Sequence, residues 1–132
     1  MQNNKEHAAI KNLIHSYSGA FNAADIVRTV ALFTDDGILM PNNAPIAQGK
    51  EQLTASFELL LKNFQINIGY TVDEITVSGD YAFVRTNSNV ATHVKASGED
   101  IALLNKELFV LRRKQDEWKI SHYIFNNTSI AK

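Results

Sequence analysis

The sequence predicts an α+β fold, with helices first and an antiparallel meander second. Three observations carry this. Helical spacing of apolar residues dominates the first half of the 132-residue chain. From Phe64 onward the spacing switches to period two. The turn signals Ser78-Gly79-Asp80 and Ser97-Gly98-Glu99-Asp100 then divide the second half into long strands.

Each element follows from its own residues. Over 5–23, Ile10, Leu13, Ile14, Tyr17 and Phe21 recur at the i, i+3, i+4, i+7 spacing of an amphipathic helix, with Asn3 or Asn4 as its cap. Asp25 reads as the N-cap of a shorter helix presenting Ile26, Val27, Val30, Ala31 and Phe33, ended by the turn Asp35-Asp36-Gly37. Ile38-Leu39-Met40 is a short strand stopped by Pro41, and residues 41–49 form a loop. Leu53, Phe57, Leu60 and Leu61 restore helical spacing over 50–63. In the first long strand Phe64, Ile66, Ile68, Tyr70 and Val72 alternate with polar residues. Ile75 and Val77 continue one residue out of phase, which predicts a bulge near Asp73-Glu74. Strands at 81–94, 103–113 and 118–127 complete the order α-α-β-α-β-β-β-β.

Composition narrows the classes of function. The chain carries 13 Lys+Arg and 14 Asp+Glu, so its net charge of −1 gives no electrostatic case for nucleic acid or an anionic membrane. It has no cysteine, which excludes a disulfide scaffold, a thiolate metal site and a cysteine nucleophile. No His/carboxylate spacing suits a metal and no glycine pattern cradles a phosphate, so neither metal nor cofactor is expected. The polar N-terminus and short apolar runs predict a soluble, cytoplasmic chain forming one domain over residues 1–132.

The last two strands are apolar on both faces. In 103–111, Leu103, Phe109 and Leu111 oppose Leu104, Leu108 and Val110. In 118–125, Trp118, Ile120 and Ile124 oppose Tyr123 and Phe125. A sheet covered on one side only should alternate cleanly, so a homodimer through the sheet is expected.

Three stretches resemble the nuclear transport factor 2-like superfamily, in its SnoaL-like and ketosteroid-isomerase-like branch. They are Tyr17-Ser-Gly-Ala-Phe-Asn-Ala-Ala-Asp25, then Ala31-Leu-Phe-Thr-Asp-Asp-Gly-Ile-Leu-Met-Pro41 with Gly49, then Gly79–Arg85 with Glu107–Arg113 and Trp118–Ile120. The resemblance implies a cone: a strongly bent sheet wrapped around helices, with an apolar pocket inside. The superfamily holds isomerases, cyclases, dehydratases, epoxide hydrolases and non-catalytic modules, so fold does not give function.

The resemblance places Tyr17 where the family carries its oxyanion-hole tyrosine, and Glu107 near the second, protonated acid of the isomerase. Tyr17 reads either as a pocket hydroxyl or as a core tyrosine bonded to a backbone carbonyl. Glu107 reads either as a desolvated carboxyl with a raised pKa or as the partner of Arg85 in a salt bridge. Met40 stands where the isomerase has its general base, and a thioether cannot take and return a proton at neutral pH. Met40 is therefore expected at an apolar pocket mouth, with Phe21, Phe33, Phe57, Phe109 and Tyr123 as further wall. Arg85, Asn87 and Asn89 share a face with Phe83; grouped with Asn105 and Glu107 they would form a polar patch, facing either a ligand or the dimer. His122 is assigned to the Trp118–Ile124 face as a core or interface histidine.

Three functions follow from these residues. The first is a binder of a mostly apolar small molecule carrying one or two oxygens, with Tyr17 and Glu107 as donors. The second is a non-catalytic dimeric interaction or assembly module. The third is a hydrolase or dehydratase that works through Glu107 or His122.

Overall fold

A computed structural model describes residues 2–130 of the chain. Three helices come early: α1 (Gln2–Asn22), α2 (Ile26–Ala31) and α3 (Gly49–Asn63). Six strands follow the order β1 (Phe33–Met40), β2 (Ala47–Gln48), β3 (Phe64–Ser78), β4 (Tyr81–Val94), β5 (Asp100–Lys114) and β6 (Glu117–Ile130). They form one sheet, β2-β1-β6-β5-β4-β3. The expected α+β architecture holds, with two additions. The sheet is mixed, because β1 runs parallel to β6, and the 41–49 loop closes on a two-residue strand that pairs with β1.

Helix α1 begins at Gln2, so Asn3 and Asn4 lie within it rather than capping it. Its buried stripe is Ile10, Leu13, Ile14, Tyr17 and Phe21, the set read from the spacing. Asp25 does cap α2, accepting the Arg28 backbone N–H at 3.1 Å. Phe33 is not on that helix. It opens β1, and Thr34–Gly37 form an irregularity before the ladder with β6 resumes at Ile38. Gly37 is required there, since a Cβ would sit 2.9 Å from the Phe33 side chain.

Edge strand β3 is held by the end of α1. The Asn22 amide accepts from the Ile68 N–H at 2.8 Å and donates to the Ile68 carbonyl at 3.0 Å, as a neighbouring strand would. The bulge expected near Asp73-Glu74 lies between Val72 and Glu74. At the β5–β6 turn, Gln115 and Asp116 both adopt positive φ, the geometry of a type I′ hairpin.

Burial fixes which face of the sheet meets the helices. Ala82, Val84, Thr86, Ser88 and Val90 of β4 point inward, as do Asn105, Glu107, Phe109 and Leu111 of β5. On β6 the expected faces are wrong. Val110 pairs with His122 but Leu111 pairs with Ile120, so Ser121 is an extra residue that flips the phase. Trp118, Ile120, Tyr123 and Phe125 therefore share the inner side, while His122 and Ile124 are exposed on the outer.

Candidate functional site

Helix α1 carries Tyr17 into the centre of the cone. Phe21, Phe33, Phe57, Tyr70, Phe109 and Tyr123 surround it, with ring centroids 5.4–6.4 Å from its own. Phe109 and Tyr123 stack at 4.1 Å. These rings arrive from two helices and four strands, which only the closed sheet brings together. Five of the six were expected as wall residues. Tyr70 was not, although its place in the alternation of β3 already put it on an apolar face.

A polar ladder crosses this apolar wall on β4 and β5. Thr86 faces Glu107 and Ser88 faces Asn105. The Thr86 hydroxyl donates to Glu107 Oε1 at 2.6 Å, and the Ser88 hydroxyl donates to Glu107 Oε2. Glu107 is 4 % exposed. Burial raises its pKa; the two hydroxyl bonds oppose the shift without cancelling it, and the Asp73 charge adds to it. The proton is thereby held on the carboxyl to higher pH than in an ordinary glutamate.

The phenols show the same desolvation. Burial drives the Tyr17, Tyr70 and Tyr123 pKa values far up, and a negative charge on Glu107 raises each further. Tyr70 and Tyr123 share a hydrogen bond of 2.5 Å. Among the described residues the Tyr17 hydroxyl makes no hydrogen bond, so the backbone-carbonyl reading of this residue is not what the fold provides. The arrangement sets three neutral phenols beside a carboxyl with a raised pKa in an apolar setting, and such phenol donors suit a ligand oxygen that gains charge.

The other expected site residues go elsewhere. Arg85 and Asn87 lie on the outer face, as does Asn89, because β4 alternates and its inward set is Thr86 and Ser88. The Glu107–Arg85 salt bridge is absent: Arg85 pairs with Glu74 at 3.1 Å and Asp73 at 3.8 Å, and Asn87 donates to Asp73. Met40 pairs with Ile124 on the outer face, and it is Leu39, beside Tyr123, that points inward from β1. His122, also outer, is within 2.9 Å of Ser121 Oγ. Among the described residues no cluster of three His, Cys, Asp or Glu could hold a metal. None of their helices is long and apolar enough to cross a membrane. An open groove of about 500 Å³ lies at the rim, lined by Asn22, Ile66, Thr92 and Ile101 among others.

The model of the SnoaL-like domain matches residues 10–126. The chain belongs to the SnoaL-like family. A ketosteroid isomerase-like protein from Erwinia carotovora atroseptica is 33% identical, with a TM-score of 0.89 over 96% of this chain and 98% of that one. Two more distant structures share the SnoaL-like fold. A provisionally named scytalone dehydratase from Novosphingobium aromaticivorans is 19% identical, with a TM-score of 0.86 over 98% of this chain and 88% of that one. ActVI-ORFA from Streptomyces coelicolor is 16% identical, with a TM-score of 0.79 over 94% and 98%. No curated protein matches the chain.

Proposed function

We propose that the protein binds a mostly apolar small molecule at the inner wall of the cone, with Tyr17 and the protonated form of Glu107 as hydrogen-bond donors to a ligand oxygen. The carrying observation is the polar ladder. A carboxyl held by two hydroxyls beside three desolvated phenols costs desolvation that an apolar core avoids, and groups shifted in this way cluster at functional sites. Met40 supplies no base, and it pairs with Ile124 on the outer face of the sheet. Binding, or polarisation of a bound carbonyl, therefore fits better than proton abstraction by an isomerase-type base. A thermal-shift titration with 1-tetralone, a two-ring ketone, tests this. The wild type is expected to gain stability with concentration. The Tyr17→Phe, Glu107→Gln double variant is expected to gain much less, and an equal gain in both would overturn the reading.

A second reading rests on the outer face of the sheet. There Phe83 and Tyr81 are each 48% exposed, beside Leu108 and Ile124. In register they form adjoining rows, Phe83–Val110–His122–Ile38 and Arg85–Leu108–Ile124–Met40. We propose that a second copy covers this stripe, with Arg85 and Asn87 at its margin. Such a homodimer is compatible with the binding function. It stands alone as an assembly module if the cone takes no ligand, an alternative favoured by the aromatic rings that fill its centre.

A further inference from the structure

At the rim end of the sheet, the outer face of β3, β4 and β5 carries small residues. In register its rows run Gln65–His93–Asp100, then Asn67–Ala91–Ala102, then Gly69–Asn89–Leu104. Gly69, Ala91 and Ala102 are exposed, although glycine and alanine are poor strand residues. Gly69 has no positive φ and pairs with Asn89 in unbroken register. A Cβ at Gly69 would meet nothing within 4 Å. Neither turn geometry nor packing inside the chain asks for glycine there, which leaves a close approach from outside.

Two adjoining hollows lie over this floor. One, of about 500 Å³, runs from Gln65 and Asn67 to His93 and Asp100. The other, of about 390 Å³, takes in Gly69 and Asn89. They share Asn67, Ala91 and Ala102, which the strand alternation puts on the outer face. Three strands spaced by ~4.8 Å, with rows ~7 Å apart, make the first floor about 10 Å by 7 Å, the size of a fused two-ring heterocycle.

The polar groups at its edges have set roles. Asn67 Oδ1 accepts from the Asn22 amide at 3.2 Å, which leaves the Asn67 Nδ2–H groups as donors. On the far side His93 Nδ1 lies 2.8 Å from Asp100 Oδ1, and Asp100 Oδ2 remains as an acceptor. Among the described residues no lysine or arginine lines either hollow, so an anion would meet the Asp100 charge without compensation. A donor on one side and a carboxylate on the other match a ring carbonyl next to a ring N–H, the edge of a cyclic amide. The second hollow, with Asn89 at its side, gives room for a hydroxylated substituent on that ring.

We propose that this face carries a second binding site, separate from the cone, for an uncharged 6-oxopurine nucleoside. The ring lies on Ala91 and Ala102, its carbonyl accepts from Asn67 and its N–H donates to Asp100, while the sugar lies over Gly69 beside Asn89. The row Thr71–Asn87–Lys106 separates this site from the row of Arg85 and Leu108, so it is compatible with a dimer through the apolar stripe.

The test titrates isotope-labelled protein with inosine and follows the backbone amide resonances. Inosine is expected to shift the Asn67, Ala91 and Ala102 amides and to leave that of Tyr17 in place. It is expected to bind about five-fold more tightly than 1-methylinosine, whose ring nitrogen carries no proton. In Asp100→Ala that preference is expected to fall to about one-fold. Inosine 5′-monophosphate is expected to bind about three-fold more weakly than inosine. Ala91→Leu changes an exposed position, so its circular dichroism should match the wild type while its inosine affinity drops about ten-fold. Unmoved outer-face amides, equal affinity for inosine and 1-methylinosine in the wild type, a preference that survives Asp100→Ala, tighter binding of the monophosphate, or full inosine affinity in Ala91→Leu each overturns the assignment. None of these outcomes bears on the ketone titration, which reads the inner wall.

Discussion

Glu107 concentrates the chemistry of this chain in one side chain. Its carboxyl is buried, satisfied by Thr86 and Ser88, and shifted toward the protonated form. A raised folded-state pKa means that the folded chain binds this proton more tightly than the unfolded chain. The contribution to stability is then fully present below the ordinary glutamate range and is lost as pH rises through the raised value. Denaturation midpoints followed upward through that window should fall more steeply for wild type than for Glu107→Gln, which keeps a polar group but cannot ionise. Parallel pH profiles would mean that Glu107 is not held protonated. The sequence supplied this residue and its apolar surroundings. It did not supply its partners, because Thr86 and Ser88 are unremarkable between Arg85, Asn87 and Asn89, and only strand register shows which of the two alternating sets faces Glu107.

Among the elements, those with a local signature were legible and those decided by tertiary pairing were not. The bulge at Val72–Glu74 shows in the sequence because two consecutive acidic residues interrupt an otherwise regular alternation. The bulge at Ser121 carries a similar mark, two polar residues between Ile120 and Tyr123, but Ile124 continues the phase of Trp118 and Ile120 and masks it, and only the pairing with β5 reveals the extra residue. That single insertion reassigns Tyr123 to the Trp118 face and moves His122 and Ile124 outside. Phe33 was misplaced for a similar reason, since one phenylalanine fits the end of a helix as well as the start of a strand. The Asn22 clamp on Ile68 was equally invisible, because it joins residues 46 positions apart. Replacing Asn22 with Ala removes two bonds to the backbone of an edge strand. It should cost about 1–3 kcal/mol in chemical denaturation, and faster amide exchange at Ile68 should accompany it. A loss below about 0.5 kcal/mol, with exchange unchanged, would show that α1 packing alone holds β3.

For the whole molecule, the sheet divides the apolar residues into two populations with different work. The inner set packs around Tyr17 and carries the polar ladder. The outer set, centred on Phe83, Leu108 and Ile124, faces away from every helix of the chain. The doubly apolar pattern of β5 was a correct sign of this outer stripe, whereas on β6 the pattern came partly from the hidden phase change. A Phe83→Glu, Leu108→Glu variant should leave the helical and sheet signals of circular dichroism unchanged and halve the mass measured by light scattering. A wild type that already has the monomer mass, 14.7 kDa, would contradict the dimer. The claim on which the functional account turns is that the inner wall of the cone receives a ligand oxygen. The most direct measurement is a crystal structure of the protein soaked with 1-tetralone. The account predicts the ketone oxygen within hydrogen-bond distance of the Tyr17 hydroxyl or the Glu107 carboxyl. A ketone found only on the outer face, or an inner wall unchanged at saturating ketone, would contradict it.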